Sequence, residues 1–193
     1  MFLAIDGLDG SGKSSAAETV AEALRAEGFE TVLREHPGGT LAGRACRRLL
    51  LCRGRLPIAL SAAFLFVDMA QTARIVRRSP PETVVIAVRY DLSSYFLSPR
   101  PAAAMHAMFA AFMPMPDLDI LIDVDPSVAL ERVSARGESE EVFENRESME
   151  RARAAMLSAP GVTVVDGNGS RSETSDALLE LVRPLLGRGD PLI

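Results

Sequence analysis

Five short runs of aliphatic and β-branched residues punctuate the chain: Phe2–Asp6, Glu30–Arg34, Thr83–Val88, Leu118–Asp123 and Val162–Val165. Most show no polar alternation, the pattern of parallel strands covered on both faces. The segments between them carry apolar residues at helical spacing. Lys13–Glu27 ends at Gly28, a residue suited to the turn that closes a helix. Leu56–Arg78 stops short of Pro80 and Pro81, and Ser127–Arg136 follows Pro126 and runs to Gly137. Val142–Leu157 and Ser172–Leu186 complete the helical set, and a helix-like stretch holds Cys46 and Cys52. Strands alternating with helices predict βαβ units, a parallel sheet and an α/β fold. No repeat and no linker divides the chain. Residues 1–193 therefore read as one domain, closing in a frayed tail at Gly187–Ile193.

Composition narrows the classes. With 48% hydrophobic and 24% charged residues the chain can bury a sizeable core. A net charge of −5 disfavours nucleic-acid polymers, whose phosphates demand a basic surface. Cys46 and Cys52 show no metal-ligand spacing and read as packing residues in a reducing compartment. Met1–Ile5 runs straight into Asp6, leaving no room for a targeting segment. The apolar stretch Pro101–Pro116 falls short of the roughly 20 residues that span a bilayer. The expectation is a soluble cytoplasmic protein with no membrane partner. Among the 21 lysines and arginines only Lys13 is a lysine. A single lysine in an arginine-rich chain points to work that a planar guanidinium does not do.

That lysine lies in the strongest motif. Residues 7–14 read G-L-D-G-S-G-K-S and satisfy G-x-x-x-x-G-K-[ST], with a strand before and a helix after. Gly7, Gly10 and Gly12 let the backbone curl and turn its N–H groups inward, and the following helix adds its positive end. Asp9, Ser11 and Ser15 complete the nucleotide-binding segment. Lys13 is expected to reach the β- and γ-phosphates of ATP, and the Ser14 hydroxyl to ligate Mg²⁺. A guanine-nucleotide switch is disfavoured. The chain lacks N-K-x-D, and D-G-N-G at 166–169 falls too late to serve as the D-x-x-G after the third strand.

Along nearly its whole length the chain resembles the thymidylate kinases, P-loop enzymes that move the γ-phosphoryl of ATP onto dTMP. F-L-A-I-D-G-L-D-G-S-G-K-S at 2–14 resembles the family's opening strand and P-loop, and R-E-H-P-G-G-T at 34–40 its R-E-P-G-G-T with His36 inserted. F-L-F-V-D-M-A-Q at 64–71 resembles the helix lining the thymine pocket, and V-R-Y at 88–90 the family's D-R-Y. P-D-L-D-I-L-I-D-V-D-P-S-V-A-L-E-R at 116–132, R-A-R-A-A-M at 151–156 and V-V-D-G at 164–167 resemble the later elements in order. The resemblance implies a three-layer sandwich of the P-loop NTPase fold, with five parallel strands in the order 2-3-1-4-5. It implies a lid at about 136–150 and a homodimer. It places Asp9 on the acceptor's sugar hydroxyl, Arg89 and Arg44 on the acceptor phosphate, Leu65 and Met69 at the base, and Arg136 as a lid arginine on the transferred group.

The departures fall at the chemistry. Val88 replaces the aspartate that works with Mg²⁺ and the reacting phosphates. Met69 and Leu65 replace an arginine and a phenylalanine of the thymine pocket. The lid stretch 137–144, G-E-S-E-E-V-F-E, holds four glutamates and no cation, leaving Arg136 and Arg146 at its borders. Asp6 and Asp91 are the candidates to stand in for the missing carboxylate, and His36 is a candidate substrate contact. The Met and Phe residues at 105–115 read as packing, His106 as a structural residue, and the acidic run at 138–147 as a solvated face. Two readings stay open: an ATP- and Mg²⁺-dependent kinase of a pyrimidine nucleoside monophosphate, and a nucleotide-binding protein without phosphoryl transfer.

Overall fold

A computed structural model describes residues 1–52, 54–96, 108–109, 111–135 and 145–186. Arg136, His106, the stretch 137–144 and the tail at 187–193 lie outside the described residues. Five strands form one parallel sheet in the order β2-β3-β1-β4-β5. They are β1 (Phe2–Gly7), β2 (Thr31–Glu35), β3 (Val84–Val88), β4 (Leu118–Asp123) and β5 (Thr163–Asp166). β1 and β3 are buried at every residue, as their unbroken apolar runs predict.

The helices are α1 (Lys13–Ala26), α2 (Leu41–Leu50), α3 (Arg55–Arg78), α4 (Pro126–Ser134), α5 (Arg146–Leu157) and α6 (Arg171–Leu186). α1 and α6 bury Val20, Leu24, Leu178 and Val182 against Leu3, Ile5, Val84 and Ile86. α3 covers the other face, placing Met69 and Ala73 against Phe2, Ala4, Val85 and Ala87. Tyr90 anchors this layer. Its ring meets Phe2 edge-on with centroids 5.1 Å apart and Phe109 at 5.6 Å, and its hydroxyl donates to the Pro114 carbonyl at 3.0 Å. Phe109 and Met113 are thus core residues, while Phe112 and Met115 are exposed.

One element was illegible in the sequence and another was read only as a helix-like stretch without bounds. Asp91–Phe96 forms a 3₁₀ helix directly after β3. α2 begins at Thr40, whose hydroxyl accepts the Gly43 N–H at 2.9 Å. α3, expected over Leu56–Arg78, is among the described residues the one helix long and apolar enough to cross a membrane by length and composition. The sheet-facing side of α3 carries Asp68 and Thr72, both fully buried and hydrogen-bonded to this fold.

Beneath β1 and β4 the 3₁₀ helix closes an acidic cluster. Carboxylate oxygens of Asp6, Asp91 and Asp119 lie within 4.8 Å of one another. Asp6 accepts the Tyr90 N–H and the Ser93 hydroxyl, each at 2.9 Å. Burial, followed by the neighbouring Asp91, pushes the Asp6 carboxyl up to about 6. Burial, followed by the neighbouring Asp91 and Asp6, pushes the Asp119 carboxyl up to about 9. The folded protein therefore keeps a proton on Asp119 that the unfolded chain releases at ordinary carboxylate pKa. Stability falls as pH rises through the window between the two values. Asp119→Asn is expected to raise the melting temperature at pH 8 more than at pH 5 and to flatten the pH dependence between them. Equal shifts at both pH values in thermal melts would contradict a protonated Asp119.

Candidate functional site

The C-terminal edge of the sheet converges on the P-loop. β1 lies between β3 and β4, with Ile5 opposite Val88 and Gly7 opposite Ile122. That register sets the loop after β1 beside the residue after β3. Gly10 has φ 85°, and a Cβ there would meet the Ala129 carbonyl of α4 at 2.3 Å. Glycine is therefore required for the loop to pack against α4. Gly12, also left-handed, caps α1 with no side-chain bond, leaving that helix end facing the loop. The Ser11 hydroxyl is buried with no hydrogen-bond partner. An orphaned donor inside a ring of backbone amides suits an anionic ligand.

Asp9 sits at the centre of the site, 3% exposed. Its Oδ1 accepts from Lys13 Nζ at 3.2 Å and also from the Arg89 guanidinium. Lys13 donates a second bond, to the Leu8 carbonyl at 2.8 Å. Burial alone would raise the Asp9 carboxyl, but Arg89 and Lys13 outweigh it and hold it at about 2. Burial, then the Arg89 charge, brings Lys13 down to about 8. Arg89 has φ 61°, uncommon for a residue with a Cβ, while its N–H donates to the Ile5 carbonyl at 3.1 Å. The structure thus brings together Asp9, Lys13 and Arg89, with Ser14 and Ser15 on the adjoining turn of α1.

Beside the loop opens a cavity of about 260 Å³ lined by Ser11, Gly12, Ser15, Arg132, Gly167 and Arg171 among others. Arg132 braces it, donating to the carbonyls of Gly167 at 3.0 Å and Gly169 at 3.3 Å. Sequence reasoning missed Arg132 and Arg171. The D-G-N-G turn at 166–169, noted only as a misplaced motif, marked the place.

The loop after β2 is clamped by side chains of α2 and α3. His36 is wholly buried, with Nδ1 2.7 Å from Asp68 Oδ2 and Nε2 2.9 Å from the Thr72 hydroxyl. Asp68 also accepts the Gly38 N–H at 2.7 Å and the Thr40 hydroxyl. Burial would raise the Asp68 carboxyl, yet bonds from His36, Thr40 and Gly38 hold it at about 2. Arg47 fastens the same loop through two bonds to the Pro37 carbonyl, at 2.9 and 2.6 Å. The inserted histidine is therefore a buried strut, not a substrate contact. Arg44 stands exposed on the first turn of α2.

Several further expectations change. Met69, expected at the base of the acceptor, is 1% exposed and packed in the apolar layer under α3, with Leu65 half-buried against it. A thioether, unlike a guanidinium, needs no polar partner there. Asp6 and Asp91 lie with Asp119 in the acidic cluster, where Asp6 accepts from Tyr90 and Ser93. Asp123 at the end of β4 is held through both oxygens by Arg153, at 2.6 and 2.7 Å. Val88 itself is 1% exposed, part of the core.

Comparison with known proteins agrees with this geometry. The family model described as "Thymidylate kinase" matches residues 5–177. A "Thymidylate kinase" of Ruegeria pomeroyi is 30% identical over 204 residues, covering 97% of each chain. That of Xylella fastidiosa (strain 9a5c) is 31% identical, covering 96% of this chain and 92% of its own. That of Xanthomonas campestris pv. campestris (strain B100) is 32% identical, covering 87% and 76% respectively.

Asp68 is the residue on which the acceptor-side loop hangs. Asp68→Ala strands the Gly38 N–H, the Thr40 hydroxyl and His36 at once. The expected loss in urea unfolding is about 3 kcal/mol or more. A loss below 1 kcal/mol, about the worth of one ordinary hydrogen bond, would show that the clamp is not formed in solution.

Proposed function

The chain belongs to the thymidylate kinase family, and we propose that it transfers the γ-phosphoryl of Mg·ATP to dTMP or a related pyrimidine nucleoside monophosphate. It does so as a single domain over residues 1–193 with a lid at about 136–150, acting in the cytoplasm. The observation that carries the reading is Asp9. One carboxylate at the mouth of the P-loop holds both the donor-side cation Lys13 and the acceptor-side cation Arg89. Two substrates meeting at that carboxylate have their phosphates directed toward each other.

The roles follow from position. P-loop amides and Lys13 take the β- and γ-phosphates, and the cavity beside Arg132 and Arg171 takes the rest of the donor nucleotide. Arg89 and the exposed Arg44 take the acceptor phosphate, where a guanidinium forms paired bonds. Asp9 is placed to accept from an acceptor hydroxyl. An acceptor phosphate oxygen bonds to the γ-phosphorus as the bond to the β–γ bridging oxygen breaks, and ADP leaves. Catalysis is positioning plus charge stabilisation, with Arg136 assigned to the transferred group. The donor set around Ser14 is all oxygen, which fits magnesium. When bound, the metal neutralises charge on the phosphoryl oxygens. The buried apolar Val88 favours the second reading, a protein that binds nucleotide without transferring it.

The family resemblance also implies a homodimer, and α3 offers a face for it. Leu56, Leu60, Phe64 and Val67 are each at least 38% exposed and recur at helical spacing along one side. A second copy seated across a two-fold axis would bury the stripe on both chains at once.

ADP formation from Mg·ATP, with dTMP, dUMP and dCMP supplied one at a time, tests the activity. Turnover dependent on one of these is expected, and Lys13→Ala is expected to lower it by about a thousand-fold or more. ATP binding without acceptor-dependent turnover would favour the non-catalytic reading. For the assembly, Phe64→Glu is expected to convert a dimer into a monomer in sedimentation. An unchanged sedimentation coefficient would exclude the α3 face.

A further inference from the structure

The family's D-R-Y motif carries an acidic side chain at the end of β3, and this chain has Val88 there, buried and apolar. The sheet shows what stands next to it. Val88 is paired on one side with Ile5 of β1 and on the other with Glu35, the last residue of β2. Adjacent strands lie about 4.8 Å apart, so a carboxylate at Glu35 is displaced from the vacant position by a single strand. Glu35 is exposed, and its Oε1 accepts a hydrogen bond of 2.6 Å from the hydroxyl of Ser14. Ser14 is the P-loop residue assigned to magnesium by the motif.

We propose that Glu35, the glutamate of the stretch that resembles R-E-P-G-G-T, holds the metal together with Ser14 and is the carboxylate on which that side of the phosphate site depends in this chain, where Val88 offers none. The proposal rests on the kinase reading above. The other acids at this edge of the sheet are committed elsewhere. Asp9 holds Lys13 and Arg89, Asp6 accepts from Tyr90 and Ser93, and Asp123 is bound through both oxygens by Arg153. Glu35 touches the P-loop hydroxyl and still faces solvent, the arrangement a hydrated hard cation needs. Its position is also rigid. The following residue, His36, donates its N–H to the Val88 carbonyl at 3.0 Å, and its ring is fastened to Asp68. The hydroxyl and carboxylate are both hard oxygen donors, which fits magnesium over softer metals.

Glu35→Gln isolates the charge, because glutamine keeps an acceptor for the Ser14 hydroxyl. Calorimetry without acceptor, comparing ATP alone with ATP plus Mn²⁺ or Mg²⁺, reads the metal-dependent gain in affinity, and Mn²⁺ paramagnetic resonance reads metal binding directly. In Glu35→Gln the gain is expected to shrink about ten-fold or more, with metal-free ATP affinity unchanged. Val88→Asp in the same background is expected to restore it. An undiminished gain in Glu35→Gln, or an equal loss with and without metal, would overturn the assignment, as would a double variant no better than the single one. Acceptor-dependent turnover is measured in parallel on the wild-type chain. Its absence would sink the kinase reading, while the binding arm would still decide the role of Glu35.

Discussion

The parallel pairing of β1 between β3 and β4 is the constraint from which the site follows. Ile5 opposite Val88 and Gly7 opposite Ile122 fix where each strand ends. The chain leaves β1 into the P-loop and leaves β3 into Arg89, so the loop and the guanidinium emerge side by side. Parallel strands all present their C-terminal ends at one edge, and helices starting there point their amide ends at it. A one-residue slip in β3 would carry Arg89 away from Asp9 and break the bonds of the Arg89 and Tyr90 N–H groups to Ile5 and Asp6. Because both faces of β1 and β3 are buried, these contacts at the strand ends, and not an exposed face, fix the register.

Within that frame, electrostatics does what covalent chemistry does elsewhere. Lys13 and Arg89 repel, and burial disfavours the charge on Lys13, yet both are held against one carboxylate. Asp9 acts as an internal counter-ion that keeps two cations apart from other partners and aimed at a common point. Phosphates arriving in the loop bring negative charge to the same cations and lift the penalty on Lys13. The acidic cluster of Asp6, Asp91 and Asp119 works in the opposite sense, a buried like-charge group relieved by holding protons.

Much of this was legible from the sequence, and the failures have physical causes. The five strands and the P-loop were readable because periodicity and a spaced glycine–lysine motif are local signals, while the strand order followed only from resemblance to the family. α2 was read only as a helix-like stretch without bounds, because it begins on a threonine cap within a glycine-rich loop, and the 3₁₀ helix at Asp91–Phe96 was not read, because it is too short for periodicity. His36 was read outward because an inserted polar residue in a loop is ordinarily solvated. Its burial depends on Asp68, thirty-two positions later in the chain, a pairing only the tertiary fold reveals. Met69 was assigned to the acceptor by resemblance, while its own chemistry, apolar and flexible, already favoured the core. Asp91 was weighed as a metal-side acid on proximity in sequence to Val88 and Asp6 on its place at the end of the first strand, whereas Glu35 is adjacent to Val88 only across the sheet.

That last contrast bears on how such a site can drift without losing its chemistry. Phosphoryl transfer here needs charge at a place, not a particular residue at a particular chain position. A carboxylate supplied from β2 and one supplied from β3 occupy neighbouring points on the same edge. Because β2 ends on a loop tied down by Asp68 and Arg47, a side chain at Glu35 is held as firmly as one at the end of a central strand. Glu35 belongs to the stretch that resembles the family's R-E-P-G-G-T, and Val88, 1% exposed, deepens the core beneath the P-loop. The substitutions at 88 and 69 are alike in one respect: each puts an apolar side chain, 1% exposed, where the family has a charged one. They differ in what stands nearby: Glu35 lies one strand from Val88, whereas Met69 is packed among Phe2, Ala87 and Tyr90.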